Sequence, residues 1–400
     1  MNEQNMHVSS NGRYFVDQNG LPQFWLGDTQ WNLFRCHTFE EAKIIIENRK
    51  KIGFTIIQVM LLGFKRDIKA EAVFGEAFPD NDPTAPNPAY FDHVDSIVEL
   101  ARQNGIVLVI GLDHPVIRLV NRNTARAYGR WISERYGKFP NIIWSATYLV
   151  PEGENLEIMR EVAQGLHEGD SGKHLITCHP DPAHPVATSG ISHAEKWLDF
   201  NCIQTFSSIH LIFDSVAADY ARIPPKPVVM AEGAYEAGPE YGYEVTPRLV
   251  RKQAYLSCFA GGHHSYGHND NWRVLPTWEA SLNAPGALQM AVLKSVFTML
   301  RWWELVPDQS IFAGSSSVED IGSRALGSTT RDSFMIYSDR PTALAVQMGM
   351  ISTSGSIAAS WIDPRNADKV KAGVFPANGV HTFASPSGWE DSLLILEATD

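Results

Sequence analysis

Pro225-Lys226-Pro227-Val228-Val229-Met230-Ala231-Glu232-Gly233-Ala234-Tyr235-Glu236 is the stretch whose reading decides the fold. Two prolines precede four apolar residues, and the run stops at a carboxylate followed by glycine. A short, continuously apolar run predicts a strand buried on both faces, since a strand with one wet face would alternate. Strand, acid, glycine is how a (β/α)8 barrel delivers a reactive side chain to its C-terminal mouth. Glu232 is therefore the leading catalytic candidate, with Tyr235 just beyond it.

Working outward, apolar runs alternate with amphipathic stretches from about residue 23 to 303. Strands are predicted at Phe24–Gly27, Thr55–Leu62, Ile106–Leu112, Asn141–Trp144, Leu175–Cys178, Phe200–Thr205, Val228–Glu232 and His263–Tyr266. Helices are predicted over Phe39–Lys51, Pro88–Gln103, Thr124–Tyr136, Leu156–His167, Pro247–Phe259 and Pro285–Trp303. Eight strand units separated by helices imply a parallel sheet covered on both faces, and in this length they favour a closed barrel. No G-x-G-x-x-G follows the first strand, which argues against a dinucleotide fold. After Pro307, Ser, Thr and Gly become frequent and helical periodicity vanishes. Short strands are predicted there at Ser333–Ser338, Ala343–Gln347, Ser356–Ile362 and Ser392–Ala398. The expected fold class is α/β: a (β/α)8 TIM barrel over residues 1–303, followed by a small C-terminal β-sandwich over 304–400.

The bulk properties are those of an ordinary globular chain: 400 residues, 44% apolar and 20% charged. The net charge of −12 with no basic run makes nucleic acid and anionic membrane poor partners. The N-terminus shows neither the basic nor the apolar region of a leader peptide, and no run is long enough to span a membrane. Four scattered cysteines without C-x-x-C spacing read as reduced thiols, so the expected location is cytoplasmic.

FWLGDTQW, FEEAKIIIENRKKIGFTIIQVML, NPAYFDHVDSIVELARQNGI, ARAYGRWISERYGKFPNIIW, GKHLITCHP, WLDFNCIQT, KPVVMAEGAYE and AYLSCFAGGHHSYGHNDNW occur in this order over residues 13–303. Together they resemble the apiosidase-like glycoside hydrolases, the (β/α)8 group in which glycoside hydrolase family 140 is the named activity. The resemblance implies cleavage of a terminal glycosidic bond, with apiose as the known sugar, by two carboxylates. It also implies a small β-sandwich after the barrel, sometimes labelled collagen-binding. The Glu of the G-E-x-x-Y-E motif falls on Glu232. The second acid, in a W-x-x-G-G-D motif after the fourth strand, falls on Leu149, because this chain reads Trp144-Ser145-Ala146-Thr147-Tyr148-Leu149.

The residues themselves leave the partner acid open. Glycoside hydrolysis needs one group to protonate the leaving oxygen and another to attack or stabilise the anomeric carbon. Asp28 after the first strand, Asp113 after the third, Glu152 or Glu154 after the fourth, and Asp181 after the fifth are the carboxylates at strand ends. A tyrosine or histidine can also donate a proton. Sugar contacts are expected from rings and polar groups just past the strands: Trp31, His114, Tyr148, His179, Gln204, Tyr235, His264, Tyr266, His268 and Trp272. His263, His264 and His268 invite a metal reading. However, no H-E-x-x-H is present, and adjacent histidines on a strand point to opposite faces, so neither metal nor cofactor is expected. A metal-dependent hydrolase and a sugar-binding relative without turnover remain the alternative readings.

Overall fold

The computed structural model describes residues 5–64, 70–114, 119–146, 150–180, 187–314 and 322–399. Eight parallel strands form the barrel: β1 (Leu26–Thr29), β2 (Ile56–Met60), β3 (Val107–Gly111), β4 (Ile142–Ser145), β5 (Ile176–Thr177), β6 (Asn201–Gln204), β7 (Val228–Glu232) and β8 (His263–Tyr266). Their ladder runs β5-β4-β3-β2-β1-β8-β7-β6, and a short antiparallel strand, Ala187–Thr188, lies on the free edge of β6. The seam between β5 and β6 is joined by single bonds. Asp199 N–H donates to Ile176 O (2.9 Å), Ile176 N–H to the Asp199 carboxylate (2.7 Å), and the Thr177 hydroxyl to Phe200 O (2.8 Å).

The helices between the strands begin and end where local chemistry dictates. α1 (Phe39–Ile52) starts in a Thr38/Glu41 capping box and stops at Gly53 in the left-handed region. α2 (Pro88–Asn104) starts at the Asn87 side chain, with proline at its first position, and stops at Gly105. α3 (Ala125–Tyr136), α4 (Gly153–Asp170), α5 (Ile212–Tyr220), α6 (Pro247–Phe259) and α7 (Pro285–Thr298) follow. α5 is short and absent from the sequence reading. α7 stops five residues earlier than expected, and Trp302–Glu304 forms a 3₁₀ turn instead.

The barrel has an inner and an outer core. Inside, Trp25, Ile56, Val109, Ile143, Cys202 and Val229 pack together, and the N-terminal strands bring Phe15 against Trp25, Phe200 and His263, with ring centres 5.0, 5.1 and 5.3 Å apart. Outside, the other face of β2 to β5 meets the helices, as in the set Ile45, Ile46, Ile57, Leu108, Val94 and Ile97. Among the described residues no helix is long and apolar enough to cross a membrane.

The chain divides into two compact units, Met1–Val250 with Gly262–Leu288, and Arg251–Gly261 with Gln289–Asp400. The second holds a six-stranded antiparallel sheet, with Ser333–Ser338, Ser392–Thr399 and Ser356–Ile362 adjacent in it, and a two-stranded sheet pairing Ala343–Gln347 with Val380–Ala384. Leu344, Val346 and Phe383 from the small sheet share one core with Phe334, Ile357, Trp361 and Leu394 from the large one, so the unit is a β-sandwich. Within this unit Arg251 is fully buried. It grips Asp391 through two bonds of 2.8 Å, Tyr337 donates to the same carboxylate (3.1 Å), and Tyr255 stacks on Tyr337 at 4.5 Å.

Candidate active site

Glu232 ends β7 and keeps 14% of its side chain exposed. A residue in a parallel strand has its flanks set by the neighbouring strands, and here Gln204 of β6 is its ladder partner, with a register shift just before it. Thr205 N–H donates to Glu232 O (3.0 Å), which fixes the backbone from the same side. His179, two residues past β5, places Nε2 3.4 Å from Glu232 Oε2. Burial drives the His179 pKa down to about 3, with His114 nearby adding to the effect, so the imidazole is neutral. Tyr235 is also bonded to Glu232, and burial followed by the carboxylate's charge holds its phenol protonated. The Trp31 indole N–H donates to the Tyr235 oxygen (2.8 Å), so the tyrosine's own proton is left for Glu232. The groups described beside the carboxylate are thus a neutral imidazole and a protonated phenol.

Rings from different loops line the approach. Trp31 stands edge-on to His179 at 5.5 Å and to Phe64 at 6.2 Å. Phe64 in turn meets His114 at 4.7 Å and Trp272 at 6.3 Å. Burial lowers the His114 pKa to about 4, so this imidazole is neutral too. Asn32 joins three of these loops: its carbonyl accepts from Phe64 N–H (2.7 Å) and its amide donates to Trp272 O (2.8 Å). Gly63 lets the chain turn with φ +62°; a Cβ there would lie 2.6 Å from Arg35 Cβ and 2.8 Å from Asn32 Oδ1. Gln204 is buried, and among the described residues its Oε1 has no partner. The Thr205 hydroxyl and the Trp272 indole N–H are likewise unpaired. Unpaired buried polar atoms are costly, and a polyhydroxylated ligand would satisfy them.

Glu232, His179, Tyr235, Trp31, His114 and Trp272 are thus linked in one cluster, with Gln204 beside Glu232. Other expected site residues lie elsewhere. Asp28 is fully buried and bound to Arg49 Nε (2.7 Å) and Gln30 Nε2 (2.7 Å), because its position on β1 turns it toward α1. Asp113 is buried and accepts from Leu119 N–H (3.2 Å). Glu152, at the start of α4, and Glu154 are exposed. Tyr266 is not a stacking surface: it is buried, faces Phe54 at 6.1 Å and donates to Glu236 (2.6 Å). His264 has the same strand parity as Tyr266, opposite to His263, which points inward. His268 caps the short helix Asn269–Trp272 by accepting from Asp270 N–H (3.1 Å). Tyr148, Leu149 and Asp181 lie outside the described residues. Among the described residues no three His, Cys, Asp or Glu side chains are grouped as a metal would require.

Phe64, Asn32 and Tyr241 were absent from the sequence reading. Tyr241 is buried, and the Glu232 charge acts with burial to raise its pKa. The signal for Phe64 was its place after Leu61-Leu62-Gly63, where β2 ends in a glycine turn.

A barrel with a carboxylate at the end of β7 among aromatic rings is an arrangement that (β/α)8 glycoside hydrolases use. Residues 9–304 match the apiosidase-like catalytic domain, and residues 306–397 match the domain described as "Putative collagen-binding domain of a collagenase". The chain belongs to the apiosidase-like family of glycoside hydrolases. Among solved structures it is similar to a glycoside hydrolase family 5 protein from Bacteroides vulgatus ATCC 8482, with 27% identity, coverage of 98% of this chain and 94% of that one, and a TM-score of 0.88. A second structure, named only as a glycoside hydrolase, gives 28% identity, coverage of 99% and 97%, and a TM-score of 0.85. A family 5 mannosidase from Rhizomucor miehei, at 14% identity, coverage of 66% and 85%, and a TM-score of 0.52, shares the fold. No curated protein matches.

Proposed function

We propose that this chain is an exo-acting glycoside hydrolase that removes a terminal sugar, of the furanose or pyranose kind, from a small oligosaccharide or glycoside. The observation that carries the reading is Glu232 at the end of β7, bonded by Tyr235 and approached by His179 among aromatic rings. The narrow exposure of its side chain supports a pocket for one terminal ring over an open groove. Glu232 works on the anomeric carbon, either by attacking it or by activating a water. The neutral donors around it hold one carboxylate geometry without neutralising its charge. Trp31, Phe64 and Trp272 offer faces and edges to sugar C–H groups, while Gln204 and Thr205 offer oxygens to hydroxyls. For the leaving oxygen, Glu152 and Glu154 are the acids after β4 that keep solvent access, and either would have to be brought to the Glu232 cluster by the substrate-bound loop, whereas Asp28 and Asp113 are buried. The two catalytic and positioning sets lie within the unit proposed as the barrel domain; the sandwich forms the second domain. Four unlinked, buried cysteines support action in the cytoplasm.

A second reading rests on Leu149 at the position where the family resemblance expects an acid: a relative that binds sugar without turnover. The test is a panel of aryl glycosides and plant-type oligosaccharides, in EDTA, with wild type beside Glu232→Gln. Product released by wild type and lost in Glu232→Gln supports the hydrolase. Full activity in Glu232→Gln sinks the mechanism. Calorimetric binding with no release by wild type favours the binding protein.

A further inference from the structure

A groove of about 600 Å³ opens between α4 and the segments that lead into β5 and β6. These segments precede the strands, so the groove belongs to the N-terminal end of the barrel. Glu232 is at the other end, and a strand rise of about 3.3 Å per residue separates the two by on the order of 15 Å. The groove is large enough for one or two sugar rings.

Its lining is amphipathic in a particular way. Ala163 and Ile176 form an apolar floor. Trp197 is half-buried against both the outer core and the small cluster of Met159, Cys178 and Leu198, so its indole is fixed. The indole N–H donates to Glu195 (3.2 Å). Arg160 grips the same carboxylate through two bonds, 3.1 and 2.6 Å. Asp199 spends one carboxylate oxygen on Ile176 N–H (2.7 Å). Burial, acting against that bond and against Lys226 and His167, raises its pKa to about 6. Arg160 and Lys196 balance Glu195 and Asp199, so the groove selects neither cation nor anion. A rigid ring face, an apolar floor and prearranged planar hydrogen-bonding groups are what a neutral polyol requires.

We propose that this groove is a second carbohydrate-binding site, taking a sugar ring on Trp197 with its hydroxyls on Glu195, Arg160 and Asp199. It would hold a glycan chain at the face away from catalysis, and it does not depend on Glu232 being catalytic. The test uses the full chain with ¹⁵N-labelled indoles, the Trp197 resonance being assigned by backbone NMR. The probes are the methyl glycosides of glucose, galactose, mannose, xylose and rhamnose, each added alone at millimolar concentration. At least one is expected to shift the Trp197 resonance in a saturable way, equally in wild type and in Glu232→Gln. Ala194→Trp, at an exposed position on the lip, is expected to abolish the shift while leaving the rest of the spectrum unchanged. Three outcomes would overturn the proposal: no glycoside moves Trp197, the shift survives in Ala194→Trp, or it disappears in Glu232→Gln.

Discussion

Asp28 and Glu232 are both carboxylates near the C-terminal ends of barrel strands, and they have opposite fates. Asp28 sits on β1 facing the helices, where Arg49 meets it at 2.7 Å with neither side chain exposed. Glu232 ends β7, and its described partners are a neutral imidazole and a phenol. Under the proposed function, the difference is one of competence. A guanidinium spends a carboxylate's charge inside the protein, while neutral donors orient the charge and leave it available to a reacting centre.

The sharpest way to break this comparison is to neutralise each acid in turn. Glu232→Gln should lower kcat by about 10²–10⁴-fold with the fold intact, measured on whichever glycoside the wild type cleaves. Asp28→Asn should do the reverse. Leaving Arg49 buried and unpaired costs about 3–5 kcal/mol in denaturant unfolding, with activity per folded molecule retained. An Asp28→Asn protein that is fully stable and inactive would overturn this distinction.

Acid titration sharpens the role of the neutral histidines. Burial depresses His37, His114 and His263 to about 4, and His179 and His264 to about 3. Below pH 6.5 the unfolded chain takes up protons that the folded chain refuses. The stability from these groups is thus fully present above 6.5 and lost as pH falls toward 4. Each contributes at most about 1.4 kcal/mol per pH unit over that window. Thermal unfolding should show Tm falling between pH 6.5 and 4.5, and the imidazole NMR signals of His114 and His179 should not titrate above pH 5.

Smaller effects come from the support around Glu232. Tyr235→Phe removes a bond to a charged acceptor, worth about 1.5–3 kcal/mol, and should lower kcat by about 10–100-fold with a Tm drop of a few degrees. Unchanged kcat would mean that His179 alone orients the acid. Gly63→Ala strains a left-handed residue and pushes on Asn32. A severalfold rise in KM at near-constant kcat is expected as Phe64 and Trp272 shift.

The strand order and the strand-end position of Glu232 were legible in sequence because short apolar runs and glycine stops carry that information locally. The sandwich strands at Ser333–Ser338 and Ser356–Ile362 were legible as short runs set between turn residues. Asp28 was harder, since the face a strand residue occupies depends on parity counted from a neighbour. A signal was nevertheless present in α1. Ala42, Ile45, Ile46 and Arg49 follow the buried helical spacing, so Arg49 had to find a buried acid. Asn32 left no such trace. Its role is to join three loops distant in sequence, and only the closed barrel brings them together.

The division of the chain has a consequence for how the protein can be handled. Residues 251–261 and 289 onward group with the sandwich, so the backbone crosses between the units three times before its final hundred residues begin. Trimming at residue 303 would remove Asp391 and strand the Arg251 guanidinium without its counterion. The C-terminal unit is therefore not a detachable tag. Grafting it onto another enzyme, or deleting it to shorten this one, would require redesign of two helices as well as a new end.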